Sequence, residues 1–509
     1  MILEGEAVIL DGRSLTLADV ERIARDPTVR VELAPGAREA IQRSRSFIEE
    51  EVASGRPVYG VTTGFGRLAE VVIPPEDRTA LQHNLVRSHA SGMGEALDQD
   101  EVRAIILLRA NALARGVSGC RVVVVERLLD LLNHGIHPRV PRFGSVGASG
   151  DLAPLAHIAL AVLGEGPAEC GGEWGEADGF LRALGLEPLE LAEKEGLALI
   201  NGTQATTALG ILALRRARRA VETAEVAGAM SLEALLGTPE AFREEIQEAR
   251  PHAGQGESAR RLRELLQGSE IRESHREGDP RVQDAYALRC MPQVHGAARQ
   301  ALAYVEGILT TEANSATDNP LVFPEEGVIV SGGNFHAQIV SAALDFMTLA
   351  LADLASISER RIERLLNPDL SMGLPAFLAR TPGLESGMMI AQVAAVDSLA
   401  EMRVLAHPAS VDSVTTSANQ EDHVSMGLAA ARKAGRTVAC LEQILAVELM
   451  AAAEGIEHRR PLRAGDGVET AHARIRKMVE PLDGDRVLSG DLEKVAEAIR
   501  AGAFSREAQ

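Results

Sequence analysis

Apolar residues recur every three or four positions over long stretches of this chain, which is the spacing of one face of an α-helix. The clearest run lies between residues 338 and 366 and comprises Ile339, Ala343, Phe346, Ala350, Leu354 and Ile357. Further segments are equally long and rich in Ala and Leu: 203–236, 293–316, 386–406 and 424–453. Because small side chains let helices approach closely, this pattern predicts a mainly α protein built as a long antiparallel helical bundle.

The first part of the chain has a different, mixed pattern. An apolar run at residues 8–10 predicts a short strand. Thr16, with Asp19 three residues later, predicts the start of a helix. We therefore predict a smaller mixed N-terminal portion, residues 1–110, and a helical core, residues 111–509.

Composition narrows the classes of function. The chain has 509 residues, of which 46% are hydrophobic and 25% charged, an ordinary balance for a globular protein. Its net charge of −21 disfavours binding to nucleic acid or to an anionic membrane surface. No apolar stretch is expected to span a bilayer. We predict neither a nucleic-acid partner nor a membrane partner.

Cysteine and histidine positions bear on the compartment and on metal binding. The cysteines are scattered and fit neither a disulfide framework nor a zinc-ligand spacing. Residues 1–6, MILEGE, lack the basic start and the long apolar run of a signal peptide. His134 and His137 have no third ligand nearby and are expected to lie in a loop. We predict a cytoplasmic protein without a bound metal.

Residues 144–151 read GSVGASGD and carry the most unusual chemistry in the sequence. Ala148 and Gly150 leave the backbone nearly bare, so the Gly150 nitrogen can approach the Ala148 carbonyl carbon. Ring closure with loss of water, and loss of the Ser149 hydroxyl as a second water, would leave an electrophilic methylidene-imidazolone. The alternatives are a flexible loop or a phosphate-binding loop. The run lacks the G-x-G-x-x-G and Gly-Lys-Ser/Thr patterns, which gives phosphate binding little support.

This run, continued by LAPLAH at 152–157, resembles the signature of the aromatic amino acid ammonia-lyases, which build this electrophile from their own backbone. Other motifs of that family occur in the family's order: YGVTTGFG at 59–66, NGTQ at 201–204, QDAYALR at 283–289, GGNFH at 332–336 and NQEDH at 419–423. The resemblance implies a fumarase- and aspartase-like helical architecture and a homotetramer with active sites shared between chains. It also implies a 4-methylidene-imidazol-5-one group formed autocatalytically from Ala148, Ser149 and Gly150, with no external cofactor.

The chain has only three tyrosines, and two of them, Tyr59 and Tyr286, lie in these motifs. A tyrosine acts as a base only if a nearby cation or hydrogen bond stabilises its oxyanion, and a single tyrosine is more often a core residue. Tyr59 lies among Gly and Thr, which are poor core material. By resemblance Tyr59 is the base for the substrate β-proton, and Tyr286 serves ring formation or orients the reacting groups.

The remaining motif residues are candidates for substrate binding. The planar fork of Arg289 suits a bidentate grip on an α-carboxylate, although alone it would be one more surface arginine. Asn201 and Gln283 both donate and accept hydrogen bonds, and each could instead cap a turn. The resemblance implies that these two hold the carboxylate, the amine or the electrophile. It also implies that Phe335 packs against the electrophile and excludes water.

Two positions bear on the substrate. Ser88-His89 resembles the histidine-specific branch of the family, and Glu421 stands where the phenylalanine and tyrosine branches usually have an amide. An imidazole ring offers one N–H and one acceptor nitrogen, so His89 and Glu421 can bracket it. A phenyl ring would leave the carboxylate desolvated and unpaired. The resemblance therefore implies elimination of ammonia from L-histidine to give trans-urocanate, the first step of histidine degradation.

Three alternatives stay open at this point. A phenylalanine or tyrosine ammonia-lyase, or an aminomutase, would use the same electrophile, but Ser88-His89 and Glu421 argue against it. The fumarase–argininosuccinase group carries a Gly-Ser-Ser-x-Met-Pro loop, which this sequence lacks. An inactive helical scaffold is the alternative without enzymatic activity, and the presence of all the motifs together argues against it.

Overall fold

The computed structural model describes residues 7–506, so the acidic start at residues 1–6 lies outside the described part. Helices dominate, and the strands are short. The chain divides into two compact units. The first unit comprises the residues up to Leu212, Glu306–Leu344 and Pro408–Arg432, and the second comprises Ala213–Val305, Asp345–His407 and the residues from Lys433 onward.

The first unit carries the strands and the shorter N-terminal helices. The helices up to residue 200 are α1 (Leu17–Arg25), α2 (Pro35–Ala53), α3 (Arg78–His89), α4 (Gln99–Ala114), α5 (Val122–Asn133), α6 (Leu152–Val162), α7 (Ala177–Ala183) and α8 (Glu195–Ile200). The strands are β1 (Val8–Leu10), β2 (Val31–Leu33), β3 (Met93–Ala96), β4 (Ile136–Pro138), β5 (Pro141–Phe143), β6 (Pro167–Cys170), β7 (Glu173–Glu176), β8 (Leu321–Phe323) and β9 (Val328–Val330). β1 pairs parallel with β2, whereas the pairs β3–β5, β4–β6, β6–β7 and β8–β9 are antiparallel.

Long helices make up most of the chain beyond residue 203. The helices there are α9 (Gln204–Ala234), α10 (Glu244–Glu248), α11 (Ala253–Leu265), α12 (Glu270–Glu273), α13 (Tyr286–Arg289), α14 (Met291–Ala313), α15 (Gln338–Leu366), α16 (Met389–Leu405), α17 (Gly427–Glu457), α18 (Asp466–Arg476) and α19 (Ser489–Arg500). Each of the predicted long segments forms one of these helices, namely α9, α14, α15, α16 and α17.

Within the second unit, long helices that follow one another in the chain run in opposite directions. Tyr304 of α14 contacts Phe346 of α15, and His295, nearer the start of α14, contacts Arg361, nearer the end of α15. Contacts of the same kind orient α9 against α14 and α16 against α17. The predicted antiparallel bundle is therefore confirmed.

Small residues let these helices approach closely. Gly228 of α9 faces α14 so tightly that a Cβ on it would lie 2.4 Å from the Met291 sulfur. Gly455 of α17 also leaves no room for a side chain, since a Cβ there would lie 2.8 Å from the Ala234 Cβ. The scarcity of aromatic residues, 3% of the chain, fits a core built from such close contacts.

Helix α15 forms over the predicted residues, but its buried face matches the predicted face only in part, sharing Ala343 and Leu354 with it. Ile339 and Phe346 are 54% and 47% exposed within the chain. The buried face carries Val340, Ala343, Leu344, Met347, Leu351 and Leu354. Apolar residues lie on most sides of this helix, so spacing alone fits more than one face.

The same helix corrects the expectation that no stretch is apolar enough to span a bilayer. By length and composition alone, α15 could cross a membrane. However, 61% of its most apolar stretch is buried inside the protein. Burial of this kind is that of a core helix, whose Ala and Leu serve packing against other helices.

The N-terminal portion contains the predicted strand and helix start. β1 covers residues 8–10, and Thr16 Oγ1 accepts a hydrogen bond from the Asp19 amide at 3.1 Å at the start of α1. The loop expected around the two histidines is correct for His134, which lies in the turn after α5, but wrong for His137, which lies in β4, 3.0 Å from a Glu169 oxygen. The predicted boundary after residue 110 falls inside α4 and stays a prediction about chain layout.

Candidate active site

Residues 144–151 connect β5 to α6 and include positions that only glycine fits. Gly147 and Gly150 have φ of +67° and +76°, which other residues rarely adopt. A Cβ on Gly150 would lie 2.3 Å from the Gly202 oxygen. The Asp151 amide donates to that same oxygen at 2.7 Å. The loop is therefore held against the NGTQ segment, backbone to backbone.

Two other segments hold Ser149. Asn201 Nδ2 donates to the Ser149 carbonyl oxygen at 2.6 Å. Ser149 Oγ donates to Glu421 Oε1 at 2.5 Å. Asn201 Oδ1 is buried and has no hydrogen-bond partner within residues 7–506. The fold thus brings together three predicted site residues that are far apart in the sequence.

Asp151 is a buried carboxyl group directly after the tripeptide. It accepts hydrogen bonds from Ser145 Oγ at 2.8 Å and from the Thr206 amide and hydroxyl at 2.7 and 3.0 Å. Burial raises the pKa of Asp151, and these hydrogen bonds only partly oppose that rise. Asp151 therefore ties the loop to the first turn of α9 instead of capping its own helix.

A cavity of about 890 Å³ opens over this loop. Its lining includes the predicted site residues Tyr59, His89, Ala148, Ser149, Asn201, Phe335 and Glu421. Gly150, the last residue of the tripeptide, is buried. Tyr59 Oη accepts a hydrogen bond from the Gly66 amide at 3.2 Å. The cavity therefore brings the Tyr59 side chain together with Ala148 and Ser149 of the tripeptide.

His89 and Glu421 lie close enough to influence each other's ionisation. His89 Nδ1 is 2.8 Å from the Leu85 carbonyl oxygen, so Nδ1 carries the proton and Nε2 is left as an acceptor. Burial lowers the pKa of His89 and favours its neutral form. Burial raises the pKa of Glu421, but hydrogen bonds, chiefly from Ser149 and Thr416, outweigh this and lower it overall. The cavity thus presents a neutral imidazole and an ionised carboxylate.

Three predicted site residues are not brought into this cavity. Among the residues that the structure describes, its lining does not include Gln283, Tyr286 or Arg289. Tyr286 is 69% exposed, and the Arg289 guanidinium lies over its ring at 4.6 Å. These residues belong to the second unit, where Gln283 and Tyr286 are exposed and Arg289 is half-buried.

The structure adds residues that the sequence motifs did not single out as site residues. His336 and His423 line the cavity with their rings stacked, 5.8 Å between centroids, and His336 Nε2 contacts the His423 carbonyl oxygen at 3.1 Å. Arg109 lies behind the tripeptide and is fully buried. A signal for Arg109 did exist, because this charged residue interrupts the apolar run of α4, yet nothing local indicated what it contacts.

The family follows from comparison with known proteins. A family model described as aromatic amino acid lyase matches residues 15–477. The chain therefore belongs to the aromatic amino acid lyase family. The chain is 52% identical to a histidine ammonia-lyase from Anaeromyxobacter dehalogenans (strain 2CP-C). The aligned region covers 98% of this chain and 99% of that relative.

Solved structures agree with this assignment. The chain is similar to the crystal structure of histidine ammonia-lyase from Trypanosoma cruzi, with 44% identity, a TM-score of 0.91 and coverage of 99% of this chain and 95% of the other. It is also similar to a tyrosine aminomutase from Streptomyces globisporus, with 40% identity, a TM-score of 0.93 and 98% coverage of both chains. The predicted helical lyase architecture is thereby confirmed.

Proposed function

We propose that this chain is a histidine ammonia-lyase, which eliminates ammonia from L-histidine to give trans-urocanate in the first step of histidine degradation. The observation that carries the proposal is that His89 and Glu421 line the same cavity as Ser149. Similarity over nearly the full length to proteins named histidine ammonia-lyase supports it.

Ala148, Ser149 and Gly150 fit autocatalytic conversion into 4-methylidene-imidazol-5-one without an external cofactor. Gly150 has a positive φ, and no Cβ fits between it and Gly202. Asn201 holds the Ser149 carbonyl oxygen, and Glu421 holds its hydroxyl. When formed, this group supplies an electrophile that bonds either the amine or the ring of the substrate and so eases loss of ammonia or of the β-proton.

The side chains of the cavity have separate roles in this proposal. Tyr59 removes the β-proton, and the Gly66 amide, which donates a hydrogen bond to the Tyr59 oxygen, orients that oxygen. Asn201 Oδ1, buried and lacking a partner in the described chain, accepts a hydrogen bond from the substrate ammonium. Phe335 covers the tripeptide and keeps water from the reacting atoms.

The hydrogen-bonding state of His89 and Glu421 defines the ring that the cavity binds. His89 Nε2 and the Glu421 carboxylate are both acceptors. The expected bracketing of a neutral imidazole by one donor and one acceptor is therefore replaced by recognition of an imidazolium ring, whose two N–H donors satisfy both acceptors. A phenyl ring satisfies neither and would leave a desolvated carboxylate. The proposal therefore assigns ring recognition to His89 and Glu421.

We also propose that the protein is a homotetramer in which active sites are shared between chains. Gln283, Tyr286 and Arg289 do not line the cavity of their own chain within the described residues, so a second chain would supply them. In that arrangement Arg289 holds the substrate carboxylate, Gln283 bonds the substrate, and Tyr286 orients the reacting groups. The second unit exposes apolar side chains on α14, α15 and α16, as an assembled protein would require: Tyr304, Phe346, Leu349, Ile390, Val393 and Val396.

The compartment proposed for this enzyme is the cytoplasm. All the cysteines, Cys120, Cys170, Cys290 and Cys440, are free. Free thiols suit a reducing compartment. With a net charge of −21, neither nucleic acid nor a membrane surface is proposed as a partner.

A second candidate is an aminomutase or a lyase acting on tyrosine or phenylalanine. The similarity to tyrosine aminomutase, 40% identical over 98% of both chains, favours it. A phenol hydroxyl could satisfy one acceptor of the cavity but not both. The two acceptors therefore favour histidine.

A direct assay separates these candidates. Purified protein is mixed with L-histidine, L-tyrosine or L-phenylalanine, and the absorbance of the unsaturated product and the release of ammonia are both followed. The proposal expects ammonia and urocanate from L-histidine alone. Release from L-tyrosine or L-phenylalanine at a higher rate would contradict it. A β-amino acid product would identify an aminomutase.

The self-formed electrophile is tested by intact-mass spectrometry. The wild-type chain is expected to weigh less than its sequence by two water molecules. Ser149→Ala should retain the fold, because the change is small, yet lose at most one water, because the hydroxyl that leaves as the second is absent, and lose nearly all turnover. An unmodified mass in an active preparation would exclude the electrophile.

A further inference from the structure

Arg109 lies in the middle of α4 and is completely buried. Its Nη1 donates to the Asn201 carbonyl oxygen at 2.7 Å and to Gln204 Oε1 at 2.9 Å. Its Nε and Nη2 have no hydrogen-bond partner within residues 7–506. A guanidinium in this position is therefore only partly satisfied.

No carboxylate is hydrogen-bonded to Arg109 within the described chain. The opposite charge that acts on it is Asp318, which itself accepts a hydrogen bond from Lys194 Nζ at 2.8 Å. Burial lowers the pKa of Arg109, as expected for a cation removed from water. Burying such a charge without an ion pair is costly, so packing alone does not account for an arginine here.

What Arg109 contacts is the backbone that faces the tripeptide. A Cβ on Gly202 would lie 2.5 Å from Arg109 Nη1, so the cation lies directly against this peptide. On the other side, Gly202 O accepts the Asp151 amide, and Asn201 Nδ2 holds the Ser149 carbonyl oxygen. Arg109 therefore holds the segment that in turn holds the tripeptide.

We propose that Arg109 is a positioning residue for closure of the ring within Ala148, Ser149 and Gly150. The inference rests on the proposed function, because it concerns the formation of the electrophile. By fixing Asn201 and Gly202, Arg109 keeps the Ser149 carbonyl in place while the backbone bends. Its positive charge also polarises the Asn201 peptide group, although it touches none of the reacting atoms.

The step balances without an oxidant or reductant. The Gly150 nitrogen forms a bond to the Ala148 carbonyl carbon. The Ala148 oxygen leaves as water with the hydrogens of the Gly150 and Ser149 nitrogens, which leaves a carbon–nitrogen double bond. The Ser149 hydroxyl leaves as a second water with the Ser149 α-hydrogen, which leaves the exocyclic carbon–carbon double bond.

The helix that carries Arg109 also supplies a matched control. Arg103 lies in α4 and is 2% exposed. It also donates to main-chain carbonyl oxygens, those of Ile23 at 3.0 Å and Leu132 at 2.9 Å. Those residues do not contact the tripeptide segment among the described contacts. Arg103→Gln should thus lower stability as Arg109→Gln does, without affecting ring closure.

The experiment follows ring closure and not only activity. The full-length wild type, Arg109→Gln, Arg109→Lys and Arg103→Gln proteins are made by cell-free synthesis, and intact mass is recorded over time. Melting temperature and circular dichroism report the fold. We expect Arg109→Gln to lose two waters about tenfold more slowly or not at all, since a hydrogen bond from a charged group is lost. Arg109→Lys should be slowed less, and Arg103→Gln should match the wild type.

Each other outcome has a defined meaning. Wild-type rates of water loss in both Arg109 variants would overturn the inference, as would equal slowing in Arg103→Gln. If neither Arg109 variant folds, the residue is structural and the inference is overturned. If the wild type itself never loses two waters, the proposed electrophile fails, which is a different result from a failure of Arg109 alone.

Discussion

Two fully buried arginines, one in each unit, are satisfied in very different ways. In the second unit, Arg361 makes a two-point contact with Glu448, with Nε–Oε1 at 2.5 Å and Nη2–Oε2 at 2.9 Å. Hydroxyls of Ser231 and Ser358 also donate to Glu448. Arg109 in the first unit has only a carbonyl and an amide oxygen, and two of its nitrogens lack partners among the described residues.

The difference indicates that Arg361 stabilises the packing of its helices, whereas Arg109 lies next to the proposed active site. Around Arg361 the backbone is regular helix and the charges are neutralised within one cluster. Around Ser149 the backbone includes positive φ at Gly147 and Gly150, and Asn201 Oδ1 is left without a partner in the described chain. Polar atoms without hydrogen-bond partners and unusual backbone conformations therefore occur together at the position where a ligand is expected to bind.

The largest effect that would test this comparison is expected from Tyr59→Phe. Removal of a positioned base typically lowers the rate by about 10²–10⁴-fold. We expect kcat to fall by that factor with little change in KM, because the hydroxyl acts mainly in the transition state. The loss of two waters should be unchanged if Tyr59 has no part in ring formation. A kcat within about threefold of wild type would show that another group is the base.

A change in the polar cluster of Arg361 and Glu448 in the second unit should instead lower the free energy of unfolding. Glu448→Gln leaves the Arg361 charge buried without its partner, which typically costs about 3–5 kcal/mol. The measurement is the free energy of unfolding from chemical denaturation, with water loss as the readout of the site. Arg361→Met combined with Glu448→Gln should recover much of the loss. A cost below about 1 kcal/mol would mean that the cluster contributes little.

The third prediction concerns the ring-binding pair. Glu421→Gln should lower kcat/KM for L-histidine by about 10- to 150-fold, the equivalent of roughly 1.5–3 kcal/mol for a hydrogen bond to a charged group. Activity on L-phenylalanine should not fall, because the negative charge that a phenyl ring would desolvate is removed. His89→Leu should act in the same direction, and the double variant should cost less than the sum of the two. Equal loss with both substrates would make Glu421 a general catalytic group.

The last prediction concerns pH dependence alone, at Glu233, a buried carboxyl group of the second unit that accepts hydrogen bonds from neutral donors. It accepts hydrogen bonds from Ser269 Oγ at 2.8 Å and the Gly465 amide at 3.0 Å. Burial, with a smaller contribution from Glu469, raises the pKa of Glu233 from 4.5 to about 7. Its contribution to stability is therefore present below about pH 4.5 and lost as pH rises to about 7.

Glu233→Gln removes this titration while keeping an oxygen acceptor. The unfolding free energy of the variant relative to the wild type should therefore increase between pH 5 and pH 8, by roughly 1.4 kcal/mol for each unit of pKa shift. Denaturation curves of both proteins at several pH values provide the measurement. A difference that does not change with pH would show that Glu233 titrates normally in the fold.

The sequence predicted the long helices but not the side that each buries. In α15, Ile339 and Phe346 fit the helical spacing as well as Val340 and Leu344 do, yet only the second pair is buried. Periodicity identifies a face only when the opposite face is polar. The opposite face of α15 is apolar as well, and its exposure within one chain fits the proposed assembly.

Site residues could be predicted where they belong to a recognisable motif. Contacts between segments that are far apart in the sequence could not be predicted. The motifs supplied Ser149, Asn201 and Glu421, and the fold brings them into contact. Nothing in the sequence couples Asp151 to Thr206 or Arg109 to Asn201, because each contact joins segments dozens of residues apart. The roles of the individual site residues, including Gln283, Tyr286 and Arg289, stay predictions.

The contacts of Ser149 also determine when the proposed electrophile could arise during synthesis. Its partners Asn201 and Glu421 follow it by 52 and 272 residues along the chain. At about 5–20 residues per second, the ribosome needs about 14–54 s after Ser149 to reach Glu421. During that time the nascent chain carries an ordinary serine. In this proposal, a reactive group that depends on all three segments forms only in a chain that has already folded.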